Sequence, residues 1–108
     1  MPCAVLLTDH AARDLEELYK YIGQHDLPGN ADHVLDRIEQ ALTGLTQSPE
    51  RGTFPKELLA LGIREYREIF FKPYRIIYRV VEHNVYVLLI ADGRRDLNTL
   101  LQQRLLEA

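Results

Sequence analysis

Arginines carry most of the chemistry that this sequence offers. Arg75 and Arg79 lie four residues apart in the run Tyr74-Arg75-Ile76-Ile77-Tyr78-Arg79-Val80-Val81, and Arg94 and Arg95 follow the next apolar run, Val85 to Asp92. On an extended strand, residues four apart point to the same face of the sheet. Arg75 and Arg79 are therefore expected side by side, with Arg94 and Arg95 arriving where the following strand stops. Guanidinium groups hold carboxylates and phosphates through paired N–H donors and stay protonated at neutral pH, so they stabilise negative charge and are poor proton carriers. The chemistry implied is anion binding. The histidines His10, His25, His33 and His83 are spread without metal-ligand spacing, and with one cysteine, Cys3, no metal site or disulfide is expected.

The elements that must position these arginines follow from periodicity. Ala4 to Thr8 reads as a strand, ending where Thr8 or Asp9 can cap a helix. Ala12, Leu15, Leu18, Tyr19 and Ile22 then recur at helical spacing, with Arg13, Glu16, Glu17 and Lys20 opposite, until Gly23 and the Pro28-Gly29 turn. A second helix from Asn30 carries Val34, Leu35, Ile38, Ala41, Leu42 and Leu45, so the two form a helical hairpin to whose packing Tyr19 and Tyr21 are assigned. Ser48 to Gly52 stops it. A loop with one short helical turn at Lys56 to Leu61 leads to a strand from Arg64 to Phe71. The turn Lys72-Pro73 and the break Glu82-His83-Asn84 then delimit a β-hairpin. A last helix over Asp96 to Glu107 carries Leu97, Leu100, Leu101, Leu105 and Leu106, more leucine than one narrow stripe needs. The order β-α-α-β-β-β-α defines one α+β domain, with the helices expected on one face of a mostly antiparallel sheet.

The chain has 108 residues and a formal net charge of −3. That length suits one core. Residues 1–63 hold five Lys/Arg and ten Asp/Glu, while residues 64–108 hold eight and six, so a net of −5 faces a net of +2. Proteins whose affinity rests on phosphate neutralisation show a much stronger basic excess, and no direct sequence-specific nucleic-acid binding is expected. The lone cysteine and the lack of a long apolar segment place the expected site of action in the cytoplasm, without membrane association.

The motifs Tyr66-Arg67-Glu68, Tyr74-Arg75-Ile76-Ile77-Tyr78 and Gly93-Arg94-Arg95-Asp96, with Leu7-Thr8, Ala12, Asp14-Leu15, Tyr21-Ile22 and the Leu45 to Pro49 segment, resemble the RelE/ParE toxins of type II toxin–antitoxin systems. The resemblance spans nearly the whole chain and implies the same element order. It also implies one of two activities: RelE-like members cut messenger RNA in the ribosomal A site, and ParE-like members poison DNA gyrase. Arg75 and Arg95 match arginines of the RelE-like active site. The two lysines that RelE-like proteins place before the hairpin correspond to Tyr66 and Glu68, and their C-terminal tyrosine corresponds to Leu101. RNA cleavage by the 2′-hydroxyl requires proton transfer as well as cations, so the resemblance leans to the ParE-like branch. The expectation is a gyrase inhibitor that acts by binding, has no catalytic residue or cofactor, and is neutralised by an acidic antitoxin. A ribosome-dependent mRNA endonuclease and a non-toxic antitoxin-binding module are the alternatives. Arg67, Arg75, Arg79, Arg94 and Arg95 are the expected target- or antitoxin-binding residues, and Leu97, Leu100 and Leu101 the expected apolar partner surface. A homodimer is left open.

Overall fold

The structure, a computed structural model, describes residues 2–107. Strand β1 (Ala4–Leu7) leads into helices α1 (Asp9–His25) and α2 (Asn30–Gly44). A single turn, α3 (Lys56–Leu59), precedes strands β2 (Tyr66–Phe71), β3 (Tyr74–Val81) and β4 (Asn84–Asp92), and helix α4 (Leu97–Glu107) ends the chain. The sheet order is β1-β4-β3-β2, with β1 parallel to β4 and the other pairs antiparallel. The α+β class and the element order are those expected from the sequence.

Local chemistry explains the boundaries. Thr8 is the α1 cap: its hydroxyl accepts from the Ala11 N–H at 3.1 Å and donates to the Val87 carbonyl at 2.9 Å, tying the helix start to β4. Gly23 does not stop α1. The helix runs on to His25, where Asp26 donates its N–H to the Ile22 carbonyl and its side chain accepts from the Leu27 N–H. The β3–β4 turn is tighter than the three-residue break expected, because Asn84 already pairs with Val81. Glu82 accordingly takes a positive φ of 56°, as tight hairpin turns demand. Strand β2 starts at Tyr66, two residues later than expected.

One expectation about layering is corrected. The helices do not share a face. α1 and α2 cover one side, where Ile22, Val34, Ile38 and Leu42 meet Ile69, Ile76, Tyr78, Val85, Val87 and Ile90. α3 and α4 cover part of the other, where Leu58, Leu97 and Leu101 meet Ile77, Leu88, Leu89 and Ala91. The cause lies in β4. A register shift against Ile77/Tyr78 puts Leu88 and Leu89 on the same side, and the strand is apolar on both faces. Strands that bury both faces read as continuous apolar runs, and each face needs its own cover.

The two helical layers are clasped at the sheet edge. β1 ends at Leu7, so beyond Val87 the β1 side of β4 has no strand beside it. Asp14 of α1 accepts from the Ile90 N–H at 3.1 Å, and Arg104 of α4 donates to the Leu88 carbonyl at 2.9 Å. The two side chains also pair with each other through two 2.8 Å hydrogen bonds. Together they replace the missing strand's donor and acceptor, which buried backbone groups require. The resulting hydrogen bonds hold the Arg104 guanidinium above its ordinary pKa, Asp14 being the largest cause.

Candidate functional site: the arginines around the hairpin

β3 delivers Arg75 and Arg79 to the face opposite α1 and α2, as the alternation requires, yet their surroundings differ completely. Arg75 is buried. Its Nε and Nη2 donate to one Glu68 oxygen at 2.8 and 2.6 Å, and Nη1 and Nη2 donate to the two Glu57 oxygens at 2.7 and 2.8 Å. The three side chains are only 7–10% exposed. The aliphatic stem of Arg75 also runs under Gly93, where a Cβ would come within 3.0 Å of its Cδ. The hydrogen bonds it donates, to Glu57 most and then to Glu68, hold the guanidinium firmly protonated, above its ordinary pKa. The two carboxylates shift in opposite directions. Hydrogen bonding to Arg75 pulls Glu57 below its usual value, whereas burial, the larger influence at Glu68, pushes that group up. The expectation that Arg75 presents a free cation is therefore corrected: two carboxylates occupy its donors.

Arg79 sits four residues, two pleat repeats, further along and is exposed, with no ion-pair partner among the described residues. It pairs with Tyr66 of β2 and Tyr86 of β4, and Tyr86 pairs with Leu6 of β1, so one row crosses the whole sheet. α4 does not cover this end of the face: Leu6, Val81 and Tyr86 are 43%, 38% and 36% exposed. An apolar half-face surrounding a single unpaired arginine results.

Arg67 points to the other face, beside Tyr78. Its Nη1 donates to the Gly52 carbonyl at 2.9 Å, and its guanidinium lies 4.7 Å from the Phe54 ring centroid, with Arg64 at 5.9 Å from the same ring. Tyr78 anchors this loop from below, accepting from the Gly52 N–H at 3.1 Å and donating to the Pro49 carbonyl at 2.7 Å.

Arg94 and Arg95 leave β4 at the mouth of an open cleft of about 560 Å³ between α1 and the end of the hairpin. Arg94 folds back onto Asp92, donating its Nε at 2.9 Å, and that contact draws Asp92 below its usual pKa. Arg95 is exposed and forms no ion pair among the described residues. Tyr21 stacks on His25 with ring centroids 4.2 Å apart across the cleft from Tyr74, whose phenol is pushed up mainly by burial. Tyr21 thus lines this opening rather than the helical hairpin, whereas Tyr19 joins the hairpin through a 2.6 Å hydrogen bond to Asp32.

The five arginines consequently do not form one site. The α4 leucines also change role: Leu97 and Leu101 are buried against the sheet and Leu100 is half-buried, because the helix docks on β4. Exposed apolar side chains on the sheet instead include Leu6, Val81 and Tyr86 at its bare end and Phe70 on β2. No three His, Cys, Asp or Glu side chains converge as a metal site would require among the described residues. Nor is any described helix long and apolar enough to cross a membrane. The Arg75–Glu68 contact had a readable signal. The two-residue turn at Lys72-Pro73 sets a register in which Phe70 opposes Arg75, making Glu68 its diagonal neighbour. Glu57, eighteen residues away on α3, left none.

The sequence matches the family described as the ParE toxin of the type II toxin–antitoxin system, parDE, over residues 5–97. No curated protein sequence matches it significantly. Among solved structures, the chromosomal ParDE system of P. aeruginosa contains a chain of similar fold, with a TM-score of 0.69 and 19% identity, covering 83% of this chain and 95% of that one. The RelBE2 toxin–antitoxin complex of Mycobacterium tuberculosis gives a TM-score of 0.60 and 24% identity, covering 85% and 99%. A free-state arginine-to-alanine double variant of E. coli RelE gives 0.62 and 17%, covering 99% and 98%.

Proposed function

The chain belongs to the ParE toxin family of type II toxin–antitoxin systems, and from that membership we propose that it acts by binding, as an inhibitor of DNA gyrase held in check by an acidic antitoxin. The observation that carries this reading is the Arg75 cluster. Phosphoryl-transfer chemistry on RNA needs cations free to meet the charge that develops on phosphorus, and a group to move the 2′-hydroxyl proton. Here the arginine of the strand motif is bound by Glu57 and Glu68, so one positive charge is set against two negative ones. The RelE-like lysine positions hold Tyr66 and Glu68, and the position of the C-terminal tyrosine holds Leu101, which is core. A phosphate approaching this spot meets carboxylates.

The uncovered end of the sheet supports an antitoxin partner. Tyr86 and Val81 supply apolar area around the unpaired Arg79, which suits an amphipathic segment bearing a carboxylate. The solved relatives include a toxin–antitoxin complex. The test is a pair of assays on the purified chain: gyrase supercoiling with trapping of cleaved DNA, and mRNA cleavage on programmed ribosomes. Gyrase inhibition without RNA cuts is the expected result. Cuts in the ribosomal A site would overturn the reading, and inactivity in both assays would leave an antitoxin-binding module.

A further inference from the structure

The two edges of the sheet are guarded differently. On the outer side of β2, Glu68 exchanges both backbone hydrogen bonds with Thr53, at 3.0 and 2.7 Å, and charged residues flank the strand. Among the described residues β1 has no such cover along its length. The Ala4 N–H reaches the His83 carbonyl at 3.0 Å and the Thr8 N–H reaches Val87 at 3.2 Å, so Ala4, Leu6 and Thr8 turn their backbone groups toward β4. Val5 and Leu7 must turn theirs outward. Only Cys3 is held on that side, by the Thr46 carbonyl at 2.8 Å, and among the described residues no backbone group bonds Val5 or Leu7 there. Edge strands are usually blunted by charge, proline or a bulge. β1 is short and has Pro2 and Asp9 just beyond its ends, but the stretch Cys3-Ala4-Val5-Leu6-Leu7-Thr8 itself holds none of these, and the Leu6 side chain is exposed.

We propose that β1 is a self-association edge, at which a second copy of this chain adds antiparallel about a two-fold axis through Leu6. Val5 then exchanges both backbone hydrogen bonds with Leu7 of the second copy, and the symmetric pair does the same. The two sheets join, and the Leu6 side chains meet on the face that α4 leaves bare. The edge favours a second copy over an acidic partner because it is uncharged and self-complementary. The unpaired cation that would hold a carboxylate, Arg79, lies on β3, with β4 between.

Sedimentation equilibrium of the full chain, made by cell-free synthesis, is expected to reveal a concentration-dependent species of twice the 12.5 kDa chain mass. Leu6→Lys should return it to monomer with unchanged circular dichroism. Under mild oxidation Leu6→Cys should cross-link to a dimer, because facing residues across the axis bring their Cβ atoms within disulfide reach, whereas Ala4→Cys, placed opposite Thr8 of the second copy, should not. A chain that stays monomeric across the micromolar range overturns the proposal. So does a dimer that survives Leu6→Lys, or one in which Leu6→Cys cross-links no faster than Ala4→Cys.

Discussion

Replacing Arg75 with alanine separates a structural arginine from a functional one. The side chain makes four hydrogen bonds to two buried carboxylates, so its removal strands both Glu57 and Glu68 without a counter-charge. Breaking a buried ion pair from one side costs about 3–5 kcal/mol, mostly the penalty of the unpaired charge left behind. For a chain near 100 residues each kcal/mol moves the melting temperature by about 4 °C. Arg75→Ala should therefore melt about 12–20 °C below the wild type, read by circular dichroism at neutral pH. A variant that loses toxicity while melting within about 4 °C of the wild type would refute the reasoning, because Arg75 would then be serving the target and not the fold.

The two carboxylates of the same cluster separate by charge type. Glu68→Gln leaves Arg75 in a one-to-one pair with Glu57 and removes an anion whose burial is costly, so stability at neutral pH should change by less than about 1 kcal/mol. Glu57→Gln discards the better-placed charged partner and should cost about 1.5–3 kcal/mol. Their pH responses follow from the opposite shifts. Glu57 is held below its ordinary value of 4.5, so the stability it adds is present above that value and lost as pH falls through its folded-state pKa. Glu68 is pushed above 4.5, so its ionisation costs stability, and that cost disappears on acidification. Urea titrations from neutral pH to pH below 4.5 should show Glu68→Gln losing more stability on acidification than Glu57→Gln. Equal slopes would contradict the assignment.

The Asp14–Arg104 clasp predicts that Arg104→Ala costs about 3–5 kcal/mol and that the Ile90 amide loses hydrogen-exchange protection beyond the global change. A protected Ile90 in that variant would count against Asp14 being held by Arg104. Gly52→Ala should cost at least about 1–3 kcal/mol in urea unfolding, since its Cβ would fall 2.6 Å from the Tyr78 hydroxyl and 2.7 Å from the Glu68 carbonyl oxygen. Arg95→Ala should weaken toxicity with melting unchanged, and His83→Ala should leave both as they are; equal toxicity of the two variants would remove Arg95 from the target-binding set. Arg79→Glu should weaken antitoxin affinity by about tenfold or more in titration calorimetry, the equivalent of about 1.4 kcal/mol.

The sequence made the local elements legible because their signals are local. Thr8 before an amphipathic run fixes the start of α1, Pro28-Gly29 and Asn30 fix the start of α2, and the apolar, β-branched run Tyr74 to Val81 between two turn signals fixes β3. The layering was legible in principle. Val85, Val87 and Ile90 are apolar toward α1 and α2, and Leu88, Leu89 and Ala91 are apolar toward α4, so β4 announces two covered faces. What could not be read is the full set of partners: the hairpin register makes Glu68 a diagonal neighbour of Arg75, but nothing local announces Glu57. Arg75 and Arg79 look alike four residues apart; the return of the chain through α3, bringing Glu57 beneath the sheet beside Glu68, completes the buried cluster around one and leaves the other free.

That division bears on how the exposed arginines could meet a partner. The exposed guanidinium groups without ion pairs include Arg79, on the bare half of the sheet, and Arg95, beyond the end of β4 at the cleft mouth. The covered part of the face, with Arg75 and its carboxylates, separates these regions along the sheet. A small anion needs cations converging on one point; a macromolecular partner can use cations spread along its surface, each exposed one adding modestly to affinity and more to orientation. The arrangement therefore favours recognition of an extended protein surface over capture of a phosphate. It also lets one partner occupy the Arg79 end while the Arg95 end stays open. Antitoxin and target can then be tested as separable ligands: if Arg79→Glu impairs antitoxin binding alone and Arg95→Ala impairs toxicity alone, two surfaces are at work, and if each variant impairs both, they are one.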